Sequence, residues 1–286
     1  MEWFKEDKMN KKVLGVICIL FSAICFSLGG VLIKLIPWSP ITIQGARSIF
    51  SFFVIGGYML LTKKKFELNK SVLLGACCNL VMALTFVAAT KMTTAANAIV
   101  LQFTEPLFVI LLVWILYKKK PTKGAVITSL VVFAGISCFF FESLNLGGML
   151  GNILAIISGF AFALVFMMKQ FPGANFESSI LISNGISILL GIPTYFAETE
   201  KSVSVWGFVV LLGVFQFGFS YVFMSKGLDY VSPIVASLTA TIEPILNPLL
   251  VAWFYGEKVG LFAIIGAILV VGAATIYNVI DAITER

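Results

Sequence analysis

Apolar residues in this chain come in long unbroken runs rather than in alternation. A crossing needs about 20 mostly apolar residues. Breaking at charge clusters, Pro and Gly then gives ten stretches, at 13–34, 41–62, 71–90, 94–117, 123–141, 148–168, 177–197, 205–225, 232–255 and 259–281. Each predicts a helix. The connections are short, such as Lys63 to Lys70, Lys118 to Lys123 and Glu198 to Ser204, and leave no room for an extramembrane domain. A transmembrane barrel would show alternating segments of about ten residues, a pattern absent from these runs. The first stretch, Val13 to Ile33, is longer than a secretory h-region and no A-x-A-like site follows it, so it reads as a retained span.

The runs repeat. An offset of 138 residues superposes Leu74-Gly75 on Leu212-Gly213, Ala98 on Ala236, Glu105-Pro106 on Glu243-Pro244, Val113 on Val251 and Tyr117 on Tyr255. Near an offset of 136, Gly15, Ser22, Phe26 and Leu28 fall on Gly151, Ser158, Phe162 and Leu164. Each half then holds five spans, an odd number, so the second half enters the bilayer upside down relative to the first. The expected fold is an all-α integral membrane protein with ten transmembrane helices in two inverted five-helix repeats, residues 1–145 and 146–286.

Composition sharpens this picture. The chain is 59% hydrophobic and 12% charged, with a mean hydropathy of +1.02; soluble domains carry about twice that charge. It has no histidine, which removes Ser-His and Cys-His nucleophile pairs, His-ligated metals and the usual neutral-pH proton shuttle. No catalytic centre, metal site or cofactor is therefore expected, and Gly29-Gly30 lacks the Lys-Ser/Thr of a phosphate loop. The net charge of +6 invites a nucleic-acid reading, but the lysines explain it otherwise. With a cytoplasmic N-terminus, fifteen of the 20 basic residues lie inside, including Lys63 to Lys65 and Lys118 to Lys120; Lys34, Lys91, Lys201 and Lys258 lie outside. This split orients a multi-pass protein of the cell membrane with both termini cytoplasmic, and nucleic acid is set aside as a partner. Trp38, Trp206 and Trp253 at outer ends read as an interfacial belt. Cys18, Cys25, Cys77, Cys78 and Cys138 read as small core residues without a disulfide framework.

Polar groups inside the spans mark the candidate pathway. Glu105 and Glu243 sit at mid-span, where an ionisable side chain costs roughly 2.5 to 3.5 kcal/mol on insertion scales. Pro106 and Pro244 follow directly and free the carbonyls of Gln102 and Ala240; such broken helices are tolerated where they are buried in protein or line a wet cavity. Asn97 stands two turns before Glu105, and Thr239 and Asn247 one turn either side of Glu243, so each carboxylate lies in a polar stripe. The competing reading is a carboxylate bonded to a neighbouring helix for packing alone. Arg47, two turns inside the second span, either snorkels to the headgroups or serves as a counter-charge or an anchor for an anionic substrate. Asn79, Gln102 and Gln216 are intramembrane amides suited to bonds across helices. Phe162 and Tyr221 are aromatic candidates for a pocket wall. Gly159 and Ala163 are spaced for close helix approach.

At this point the chain resembles a family. The segment Ile41-Thr42-Ile43-Gln44-Gly45-Ala46-Arg47, and the stretch from Ala236 through Glu243-Pro244 to Tyr255-Gly256-Glu257-Lys258, are similar to EamA-type members of the drug/metabolite transporter superfamily. The resemblance runs along essentially the whole chain. It implies a secondary transporter, biased toward export of a metabolite, amino acid or amphipathic compound by alternating access. Its partners would be a small-molecule substrate and membrane lipid; protons as coupling ion are suggested by Glu105 and Glu243 and not by the resemblance, since the first span lacks the Glu of the four-helix small multidrug relatives. The first half departs from the pattern at Tyr117-Lys118-Lys119-Lys120, where the second has Gly256-Glu257. A channel or lipid scramblase on the same fold is the principal rival. An intramembrane enzyme built on Glu105 and Glu243 lacks a nucleophile.

Overall fold

The computed structural model describes residues 2–93, 95–139, 141, 148–246 and 261–284. Asn247, Trp253 and the 255–258 motif lie outside them. Among the described residues there is helix and no strand. Helix occurs in every one of the ten apolar runs, but several are subdivided. The first is α1 (Glu2–Phe26) and α2 (Gly29–Leu35); α3 (Pro40–Leu61) and α4 (Lys70–Met92) follow. The fourth is split into α5 (Ala95–Gln102) and α6 (Glu105–Tyr117). After α7 (Lys123–Phe139) come α8 (Met149–Met167) and α9 (Phe176–Tyr195). The eighth run is α10 (Val203–Leu211), a π-helical stretch (Leu212–Phe219) and α11 (Ser220–Leu228). Last are α12 (Pro233–Ala240), a helical resumption at 243–246, and α13 (Leu261–Thr284). Among the described residues seven helices are long and apolar enough to cross a membrane; 123–138 and 233–246 are shorter apolar helices.

The starts follow local rules. Ser39 and Ser232 cap helices whose next residue is proline, each accepting a backbone N–H with its side chain. Asn69 and Asn175 do the same for α4 and α9. The side chain satisfies a donor that has no intrahelical partner, and proline at N1 loses nothing by lacking one.

Packing runs mainly between the halves of the chain. α3 lies on α9, α4 on α8, α7 on α13, α6 on α12, and α1 on α11. This is the pattern that exchanging the two halves would give. The second run pairs with the seventh, the fifth with the tenth and the fourth with the ninth, while the first-with-eighth pair maps onto sixth-with-third. The α3–α9 crossing is close enough to require glycine on both sides. A Cβ on Gly45 would meet the Gly191 Cα at 2.6 Å.

Two apolar cores result. One gathers Ile19, Phe26, Ile55, Met59, Phe166 and Phe176; the other gathers Ile33, Ile36, Trp38, Ile43, Phe86 and Leu212. Along α3 and α9 a buried polar layer separates them, made of Gln44, Arg47, Ser48, Ser51, Ser183, Asn184 and Ser187. Two expectations change here. Trp38 is no belt residue: it is 2% exposed, packed edge-on against Tyr195 and Trp206, because its indole N–H finds an acceptor within the protein, the Glu200 carbonyl. Of the cysteines, which are all free, Cys18 is buried but Cys77 is exposed on the outside of α4, since a thiol costs little against lipid.

Candidate functional site

The two mid-span carboxylates sit at equivalent breaks. In the first half the helix stops at Gln102, turns through 103–104 and resumes at Glu105; in the second it stops at Ala240, turns through 241–242 and resumes at Glu243. Proline one residue later cannot donate to the previous turn, so the ladder is cut just before each Glu. Threonines brace the breaks, Thr104 Oγ1 donating to the Leu101 carbonyl at 2.7 Å and Thr241 Oγ1 to the Leu238 carbonyl at 2.6 Å. Glu105 and Glu243 each begin the resumed segment, where the helix dipole favours negative charge.

The breaks bring these groups together. Glu105 is fully buried and Glu243 is 7% exposed, and their charges are within reach of one another. Both oxygens of Glu105 and Oε2 of Glu243 have no hydrogen-bond partner among the described residues. Ser237, on α12, faces Glu105, and its hydroxyl is unpartnered as well. Buried polar atoms are almost always satisfied, so this cluster is out of the ordinary for a packing device.

A second polar group centres on Arg47, which is 1% exposed. It does not snorkel. Its Nε and Nη2 donate to Gln44 Oε1 at 2.8 and 2.5 Å, and Nη1 donates to Gln216 Oε1 at 2.8 Å. The guanidinium lies 4.2 Å from the centre of the Phe217 ring. Among the described residues no carboxylate forms an ion pair with it. Gln216 belongs to the π-helical stretch, and such wide turns recur at functional sites.

Tyr221 joins the two groups. It is within electrostatic reach of both Arg47 and Glu243, and its hydroxyl donates to Asn79 Oδ1 in a short hydrogen bond. Asn79 in turn donates to Ser183 Oγ at 2.9 Å. The phenol ring is walled by Phe26, Phe176 and Phe217, and Phe162 stacks behind Phe26.

Of the expected residues, the fold thus gathers Glu105, Glu243, Tyr221, Arg47, Gln216, Asn79 and Phe162. Gln102 lies next to the first break and donates to Ser158 Oγ at 2.8 Å. There α8 passes so close that a Cβ on Gly159 would meet the Gln102 carbonyl oxygen at 2.5 Å, which is why Gly159 is there. Asn97 is engaged elsewhere, with Thr93 and Asn152. The Thr239 hydroxyl is taken by the Val235 carbonyl and Asn278 rather than by Glu243. Three contributors escaped the sequence reading. Ser237 and Gln44 carry no local signal beyond polarity. The α9 stripe Ser179, Ser183 and Ser187 has a visible four-residue spacing that marks one buried helix face.

The comparisons with known proteins agree with this architecture. An EamA-like transporter family model matches residues 13–141 and again 149–279. An uncharacterized transporter of Archaeoglobus fulgidus is 24% identical over 279 residues, covering 96% of this chain and 98% of its own length. One from Acidianus ambivalens is 29% identical over 150 residues, half of this chain and 56% of that protein. A solved crystal structure superposes with a TM-score of 0.76 at 15% identity, covering 96% of this chain and 98% of the other, a likeness of fold alone. Two matches that together span nearly the whole sequence, one on each half, settle the assignment: this multi-pass membrane chain belongs to the EamA-like transporter family.

Proposed function

We propose that the protein is a secondary active transporter exporting a small metabolite, amino acid or amphipathic compound from the cytoplasm across the cell membrane. It has ten spans in two inverted five-helix repeats, 1–145 and 146–286, with both termini cytoplasmic. The observation that carries the reading is that Glu105 and Glu243, buried at two equivalent helix breaks and within electrostatic reach of one another, leave three carboxylate oxygens unpartnered among the described residues. Two buried carboxylates within electrostatic reach of one another cannot both remain ionised without a compensating cation. The compensation comes alternately from a proton and from substrate. Glu243, the more accessible and the one within reach of Tyr221, carries the coupling proton. Glu105 mainly binds substrate. Arg47, Gln216, Asn79, Tyr221 and Phe162 line the route, with Gln102, Asn97, Thr239 and Asn247 supporting the broken helices.

A thermal-shift screen against amino acids, nucleosides, quaternary amines and sugar phosphates identifies the substrate, because a bound ligand stabilises by mass action. Flux of that compound is then measured in proteoliposomes with and without an imposed pH gradient. Glu243→Gln should abolish gradient-driven flux and keep some downhill exchange, whereas Glu105→Gln should chiefly weaken substrate affinity. Gradient-driven flux at the wild-type rate in Glu243→Gln would remove the proton role.

A further inference from the structure

Glu177 opens α9, which belongs to the second half, and lies away from the carboxylate site. It is 5% exposed. Its Oε1 accepts two donors at once, Lys64 Nζ at 2.5 Å from the α3–α4 connection in the first half and Ser225 Oγ at 2.5 Å from α11. Position in the first turn of a helix capped by Asn175 adds the favourable end of the helix dipole. Beside it Lys169 donates to the Ser225 carbonyl and to Asp229 Oδ1, both at 2.5 Å. The Lys64 ammonium also faces Tyr58.

Around this knot the two halves are joined by further cross-links. Glu67 N donates to Ser178 Oγ at 3.0 Å, Asn69 Nδ2 to the Gly173 carbonyl at 2.8 Å, Ser71 Oγ to the Pro172 carbonyl at 2.7 Å and Asn175 Nδ2 to the Lys65 carbonyl at 3.1 Å. Beneath it lies a closed cleft, too tight to admit a water molecule, lined by Ile55, Phe176, Glu177, Ile180, Tyr221 and Val222. Glu177 and Tyr221 both line it, and Tyr221 is within electrostatic reach of Arg47 and Glu243.

We propose that Glu177 is the latch of a gate at the lysine-rich end: with Lys64 and Ser225 on its carboxylate the cleft to Tyr221 is shut, and releasing them opens it. This rests on the alternating-access reading above. A carboxylate whose one oxygen holds groups from both halves ties them at a single point, so loss of its charge releases both donors together. Neutralising Glu177 removes the charge that holds the part-exposed Lys64 ammonium against the second half and so shifts the protein toward the state open at this end.

The test uses the full chain in proteoliposomes, with the native cysteines replaced and one reporter introduced. Ile180→Cys lies one turn below the latch and is fully buried; Ile43→Cys, equally buried, reports on the opposite end. Glu177→Gln should raise the rate at which an impermeant thiol reagent, added at the lysine-rich face, modifies the Ile180→Cys reporter by about 10-fold, within the usual range of conformational coupling. The Ile43→Cys rate should not rise. Exchanging the charges, Glu177→Lys with Lys64→Glu, should bring the rate back toward the starting value, which a merely structural role would not do. Should Glu177→Gln fail to fold, Ser225→Ala is the substitute, with a smaller rise expected. An unchanged Ile180→Cys rate overturns the latch, and so does an equal rise at both reporters, which is general loosening. The readout needs no substrate: normal flux with unchanged labelling defeats the latch alone, and faster labelling in a protein that carries nothing defeats the transporter reading alone.

Discussion

The lysine-rich end and the end opposite it are closed by equivalent connections but by different chemistry. At the lysine-rich end the 62–70 connection of the first half meets the 170–178 connection of the second. At the other end, 36–42 of the first half meets 194–200 of the second. Exchanging the two halves turns one seam into the other. The lysine-rich seam is held across the halves by Lys64–Glu177, with Lys169–Asp229 beside it inside the second half. The opposite seam has no ion pair between the halves among the described residues. It relies on the Trp38, Tyr195 and Trp206 rings, the Trp38 indole on the Glu200 carbonyl, Ser39 N on Glu198 Oε1 and the Thr42–Thr194 hydroxyl pair. One architecture therefore carries one closure that responds to charge and one that responds to packing.

That contrast is broken most severely at the aromatic seam. Trp38→Ala removes ring packing on two sides and leaves the Glu200 carbonyl without its donor, so thermal unfolding in detergent should show a loss of about 3 kcal/mol or more. A loss under 1 kcal/mol would mean that packing is not what closes this end. Gly45→Ala should cost about 1 to 3 kcal/mol by overpacking, since α3 and α9 serve both seams and cannot approach with a Cβ in the way. Its effect should fall on both reporter cysteines alike, unlike that of Glu177→Gln.

The smallest effect concerns pH. Burial works against the charge on Lys64, but the Glu177 carboxylate, by hydrogen bond and by charge, more than offsets this and holds the ammonium above its ordinary value. A folded value raised above the unfolded one gives stability that is complete below about pH 10.4 and lost as pH climbs through the folded value. Labelling of the Ile180→Cys reporter, corrected for the reagent's own pH dependence, should therefore stay flat from pH 7 to 9 and rise only above about pH 10. A rise near neutrality would show that Lys64 is not the group holding the latch.

Much of the fold was legible in the sequence because it is set by local periodicity. The apolar runs located helix in all ten places, and the 138-residue offset anticipated that Glu105 and Glu243 occupy equivalent breaks, since proline cuts the ladder wherever it stands. The same logic missed the subdivision of the first run at Ser27–Leu28 and the π-helical stretch at Leu212–Phe219, where no proline marks the change. It also mistook Trp38 for a belt residue and left Arg47 open between snorkelling and a carboxylate partner.

By itself the sequence determined that the chain lives in a bilayer, that it is helical and doubled, and that two carboxylates interrupt equivalent apolar runs, since each of these follows from the chemistry of neighbouring residues and the period of a helix. Only the tertiary structure decided what those groups touch. Arg47 meets Gln216, 169 residues away, and Lys64 meets Glu177 across 113. Such contacts depend on which helix faces cross and how closely, at Gly45 and Gly191 for instance, and one-dimensional spacing carries no term for the distance between two helices.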